Sequence, residues 1–452
     1  MISPEEIVAA GIASADDCDL AIIVSHTAQV NLRWAENSLT TNGDTRATQV
    51  DVVAMHPSGG TATVSGQVPD RAAIIDLVAR SRAAARGAQS AEDRRELPYS
   101  GAANDWADAP EPVSGDALAS LATGLGRQFR ADAQIRHFGY AEQDVTTTYL
   151  ATTAGTRARH VQVQSRVEFT AKDATGTRSA WHGAADLGVD VAAIGHVLRT
   201  GLEQQRTPLA TTPGRQRVIL SPSATADLMI DLYFAADARA ALDGRSVFAG
   251  PTGPRIGEHI GGDVTLSSDP HHPDASMACT PFEVTAASSD SSSVFDNGLP
   301  LTATDWIRSG RLTNLISSRH TAAELGRPAT PGIDNLTLSV ASGSGTLADV
   351  VARTEAALLV TCVWYNRVVD PQTLLLTGLT RDGVYVVREG QIVGAGGNFR
   401  FNESPVSLLG RIVDASDEER TLAREMGDYF NRATMPALVV EDFNLSTASE
   451  AH

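Results

Sequence analysis

Residues 218–236 read VILSPSATADLMIDLYFAA. Val218-Ile219-Leu220 has the β-branched, apolar character of a short strand. Ser221 suits a helix N-cap. Pro222 suits the first helical position, where its missing N–H leaves no bond unmade. The following run then predicts an apolar helix, with Leu228, Leu232 and Ala236 on one face at i, i+4 spacing and Asp227 and Asp231 on another. A strand feeding directly into an apolar helix predicts a core element. Two acids one turn apart repel by about a few tenths of a kcal/mol, so their presence in a core helix needs an explanation.

Working outward, the chain alternates strand runs with isolated helices. Ser3-Pro4-Glu5-Glu6 predicts a capping box opening a first helix. Alternating runs at 19–25, 29–37, 47–56 and 60–68, separated by short turns including Asn-Gly and Gly-Gly, predict antiparallel hairpins. A helix is expected at about 70–84, and a polar, Pro- and Gly-bearing linker or long loop at about 85–113. Another helix around 115–130 leads to strands at 134–140, 146–152, 159–171 and 178–187, then a helix near 190–205. From Arg215 strands dominate, with helices at the opening stretch, near 321–325 and near 416–430. Segregated runs of strands and helices predict an α+β fold. An N-terminal α/β domain of antiparallel meanders with helices would span 1–210, and a strand-rich C-terminal domain, sandwich or barrel-like, would span 211–452.

Composition narrows the partners. The 452 residues are 42% apolar and carry a formal charge of −18, with Lys172 the sole lysine. A nucleic-acid ligand is not expected, because affinity there comes from neutralising phosphates. No apolar run approaches the ~20 residues that span a bilayer. The opening MISPEEIVAAG places acids where a signal peptide needs bases. Cys18, Cys279 and Cys362 are few and scattered, which fits a reducing, cytoplasmic setting and no disulfide framework.

Motif chemistry is sparse. There is no Walker loop, no G-x-G-x-x-G and no G-x-S-x-G. Gly394-Ala395-Gly396-Gly397 reads as a turn. The strongest metal-like group is Glu258 and His259 with Asp269, His271, His272 and Asp274, since imidazole and carboxylate suit zinc or iron. Its Pro-flanked, polar setting favours a surface loop. His320 and Glu324 are i, i+4 and read as an exposed stabilising pair, His137, His160 and His182 as satisfied strand histidines, and Cys362 as a small buried hydrophobe.

Taken in order, several stretches resemble the TldD/PmbA (TldD/TldE) metallopeptidase family. They are LRWAEN (32–37), SVFDNGLPL (293–301) with GRLTNLISSRHTAAELGRPAT (310–330), LLVTCVW with GLTRDGVYVVREGQIVG, and FRFNESPVSLLGRI (399–412). The resemblance implies a metal-bearing subunit with H-E-x-x-x-H on a helix after a strand like VIL, its two histidines and a later cysteine holding the metal and its glutamate acting as base. Laid on this sequence the motif falls on 230–235, IDLYFA. Ile230 and Ala235 stand where the histidines would, Asp231 where the glutamate would, and 411–440 has no cysteine. Asp231 then reads as a remnant or a surface acid. The resemblance thus implies a TldE/PmbA-like subunit without catalytic or metal residues of its own. Its expected partners are a TldD-like subunit carrying zinc and small or unfolded peptide substrates. The alternatives are a stand-alone metal-dependent hydrolase using the Glu258–Asp274 loop and a non-hydrolytic peptide-binding scaffold.

Overall fold

The computed structural model describes residues 2–132 and 134–449. Its N-terminal half is one antiparallel sheet of β1 (Asp19–Ala35), β2 (Ser38–Met55), β3 (Thr61–Gly66), β4 (Arg136–Thr152), β5 (Arg157–Lys172) and β6 (Ser179–Ala184). Their spatial order is β3-β2-β1-β4-β5-β6. The strand runs expected at 19–25 and 29–37 are a single strand, as are those at 134–140 and 146–152. The β1–β2 turn is made by Glu36 and Asn37, both left-handed (φ 51° and 59°), as a two-residue hairpin turn of matching twist requires. Asn42-Gly43, expected as a turn, instead lies inside β2, with Gly43 opposite Asn31. The first half of β2 is solvated, so it carries no apolar alternation to betray it.

Period-2 alternation sorts the sheet faces. On β1, Leu20, Ile22 and Val24 pack with Ile7 of helix α1 (Pro4–Ile12) and with Ile74, Leu77 and Val78 of α2 (Arg71–Gly87). On the same face Val30, Leu32 and Trp34 share a cluster with Leu121 and Leu125 of α3 (Ala119–Ala131) and Ile194 and Leu198 of α4 (Val191–Gln204). All four helices therefore cover one face. On the other, Ala21 and Ile23 meet Phe282, Val294 and Phe295 from the C-terminal half. Residues 88–113 are irregular, as expected, but form a fastened strap. Tyr149 Oη donates to Asp108 O (2.5 Å), Arg159 Nη1 to Asp105 Oδ2 (3.0 Å) and Thr156 Oγ1 to Pro98 O (2.9 Å).

The C-terminal half contains a five-stranded barrel. Strand β7 (Gly214–Leu220) lies between Ala356–Asp370 and Leu438–Ser449, and the ring closes through Asn398–Glu403 and Leu375–Arg388. A second sheet runs Arg311–Leu312, Thr304–Arg308, Val264–Ser268, Leu336–Val340, Ala433–Met435, Glu419–Thr421. Helix α5 (Pro222–Phe234) contributes to a hydrophobic cluster that joins barrel residues such as Val360 and Phe401 to Leu266 and Trp306 of the second sheet. The helix expected near 416–430 is absent. That segment is a short strand followed by turns, and its backbone N–H groups are taken by α5, as described below.

Candidate functional site

Helix α5 starts as the sequence predicts. Ser221 Oγ accepts from Ala224 N (3.2 Å) and donates to Thr361 O, tying the cap to the barrel. Every residue from Pro222 to Tyr233 is buried except Asp231, which is half-buried. The expected division into apolar and acidic faces therefore fails, because α5 is enclosed nearly all round. Ile230 is fully buried, Ala235 is half-buried and Phe234 projects to solvent at 48% exposure.

Asp227 explains how a core helix tolerates an acid. Its carboxylate is completely buried and accepts three backbone N–H groups, from Arg424 (3.1 Å), Glu425 (2.9 Å) and Met426 (2.9 Å). Burial pushes its proton affinity well up, and the three N–H bonds pull the other way by stabilising the charged form. These bonds take the N–H groups of residues 424–426, which an unbroken helix over 416–430 would bond within itself. Asp231 sits one turn on and accepts a long bond from Asn366 Nδ2 (3.4 Å). Burial, partly offset by Asn366, pushes its carboxyl up to about 6, with the Glu425 charge adding to the rise. Asp231 is thus half-buried rather than a surface acid.

Beside these acids lies a cluster that sequence reasoning missed. Arg424 lies over the rings of both Trp181 (5.1 Å) and Trp364 (4.7 Å) and donates to Glu168 Oε2 (2.7 Å). Trp181 Nε1 donates to the same Glu168 oxygen (3.2 Å). Asp382, buried and left-handed (φ 53°), accepts from Ser179 Oγ (2.6 Å). Cation–π stacking with charge-assisted bonds couples β5 and β6 to the C-terminal half here. Its members come from segments more than 180 residues apart in pairs such as Ser179–Asp382, |i−j| 203, so no local pattern could announce it.

The model of the PmbA/TldA metallopeptidase C-terminal domain matches residues 213–447. The chain belongs to the TldD/PmbA family. Solved structures share its fold throughout. TldE from Thermococcus kodakarensis is 16% identical with a TM-score of 0.80, covering 97% of this chain and 99% of that one. A proposed modulator of a DNA gyrase from Thermotoga maritima is 17% identical with a TM-score of 0.77, covering 97% and 99%. Another from Bacteroides thetaiotaomicron is 14% identical with a TM-score of 0.78, covering 98% and 99%. A search of the curated proteins found no match.

A TldD/PmbA metal centre does not fit the residues that stand here. Positions 230, 231 and 235 offer one carboxylate between them, and no group of three or more His, Cys, Asp or Glu side chains among the described residues is placed to hold a metal ion. The Glu258–Asp274 loop is not gathered either. Glu258 pairs with Arg255 (2.8 Å), His259 is bridged through its backbone to Arg311, Asp269 Oδ1 accepts from His271 N (2.9 Å), and His272 Nδ1 accepts from Asp274 N (3.1 Å). His320 pairs with Glu324 (3.0 Å), a residue also reached by Arg239. His137 is buried against Asp132 (3.1 Å), which Arg199 also holds. Cys362 is fully buried and donates to Arg381 O (3.1 Å), and burial pushes its thiol well up, away from nucleophilic use. Gly396 and Gly397, read as a turn, follow the short strand Gln391–Ala395.

Proposed function

We propose that this chain is the non-metal-binding, TldE/PmbA-like subunit of a cytoplasmic TldD/TldE-type peptidase acting on small or unfolded peptides. One observation supports the reading: α5 has the strand, the Ser-Pro cap and the place in the core, while the positions on which the resemblance would place the metal-binding motif hold buried Ile230, hydrogen-bonded Asp231 and Ala235. The helix is retained for packing. Zinc and the water it activates then belong to a TldD-like partner. The whole-chain likeness in fold to a TldE structure supports the assignment to this half of the pair. No helix among the described residues is long and apolar enough to cross a membrane.

Reconstitution tests the proposal. The purified chain is mixed with a metal-bearing TldD-like subunit and an unfolded peptide, and products are followed by mass spectrometry. The two chains should co-elute and cleavage should rise above that of either alone. Separate elution with unchanged cleavage would overturn the reading.

A further inference from the structure

The two aromatic residues within the 230–235 stretch, Tyr233 and Phe234, face a cavity of about 410 Å³. Phe430 and Tyr429 wall it with them, and Glu283 lines it. Phe234 and Phe430 meet edge to face with centroids 5.8 Å apart, and Tyr233 and Phe430 lie 5.7 Å apart. Tyr233 is locked, because its hydroxyl donates to Ile333 O (2.8 Å) and accepts from Ile333 N (2.7 Å). Phe234 and Tyr429 form an exposed rim, at 48% and 77% exposure. The pocket therefore has a rigid aromatic floor and an open aromatic mouth.

Glu283 is the odd residue in this setting. Its backbone is fixed, with N donating to Leu299 O (2.8 Å) and O accepting from Gly298 N (2.8 Å). Its half-buried carboxylate has neither a hydrogen bond nor an ion pair among the described residues. The other acids nearby are already matched: Asp334 is held by Arg432 (2.6 Å) and Asp296 by Arg319 (2.6 Å). Burial, with the Asp296 charge behind it, pushes the Glu283 carboxyl up to about 7. A site that desolvates an anion, supplies it no partner and sets aromatic faces beside it is complementary to a cation carried on an apolar stem. Aromatic faces add attraction for such a cation.

We propose that this pocket binds a basic side chain, arginine or lysine, of an extended peptide, with Glu283 pairing the cation and the aromatic walls holding the stem. The peptide as ligand rests on the proposed role in a peptidase; the cation preference rests on the pocket alone.

The test uses the isolated full chain and two fluorescein-labelled heptapeptides, Ala-Leu-Ala-Arg-Ala-Leu-Ala and its counterpart with Gln in place of Arg, read by fluorescence anisotropy. The arginine peptide should bind at least about tenfold more tightly. Glu283→Gln, which removes an unpartnered charge and so leaves no stranded partner, should abolish the difference. Phe234→Ala, at an exposed rim position, should weaken both peptides. Equal affinities, no binding of either, or a preference that persists in Glu283→Gln would overturn the proposal. The last outcome would assign the preference to the chain's overall charge of −18. Because no TldD-like partner is present, a negative result here leaves the subunit reading standing. A failed reconstitution leaves the pocket's cation preference to be judged by this binding assay.

Discussion

Replacing Asp231 by Asn should stabilise the protein at neutral pH. Its carboxyl stands at about 6 in the folded chain against an ordinary value of 3.8. With the folded-state affinity for the proton raised, the stability tied to the protonated form is complete below the unfolded value. It is lost as pH rises through about 6. At roughly 1.4 kcal/mol per unit, the ceiling on that loss is about 3 kcal/mol at pH 8. Asp231 is only half-buried, and solvent screening reduces the figure to about 1–2 kcal/mol. Asn is isosteric, is neutral at every pH, removes repulsion from Glu425 and can still accept from Asn366 Nδ2. The assay is urea unfolding followed by tryptophan fluorescence from pH 5 to 8.5, read as the difference between variant and wild type. The variant should be the more stable at pH 8, with the gap shrinking by about half at pH 5. A wild type more stable than the variant at pH 8, or a gap that does not move with pH, would refute the reasoning.

Two further substitutions probe the same architecture. Asp227→Ala strands three buried N–H groups on residues 424–426 and should cost about 3 kcal/mol or more; hydrogen exchange should show the loss of protection concentrated in that segment, and uniform protection would count against the pinning role. Gly139→Ala would set a Cβ 2.1 Å from Glu168 O and 2.3 Å from the Trp34 ring, so a loss on the order of 2–3 kcal/mol is expected from overpacking, and a melting temperature within a degree of wild type would contradict the close approach of β4 and β5.

Much of the fold is legible in the sequence because its signals are local. Ser3, Asp70, Asp190 and Ser221 each cap the helix they precede, and β-branched runs mark the strands. What failed was long-range. The outer half of β2 is solvated and shows no alternation, so β1 and β2 look shorter than they are. The 416–430 segment carries helix-compatible residues, but Asp227, some 197 residues earlier, takes the N–H of Arg424. That Ile230 and Ala235 stand where the family resemblance expects ligands could be read from register alone. Their environment was not: neither the burial that raises Asp231 nor the stacking of Arg424 between Trp181 and Trp364 has a sequence signature. The cavity beside Phe234 was equally hidden, since Glu283 and Tyr429 reach it from distant loops.

In the proposed role, α5 persists as a packing element in a subunit that carries no metal of its own. The most direct measurement is the zinc and iron content of the purified chain, by elemental mass spectrometry after dialysis. Well below one ion per chain is expected. One zinc or iron per chain surviving dialysis would contradict it, and would make Glu258, His259, His271 and His272 the first residues to replace.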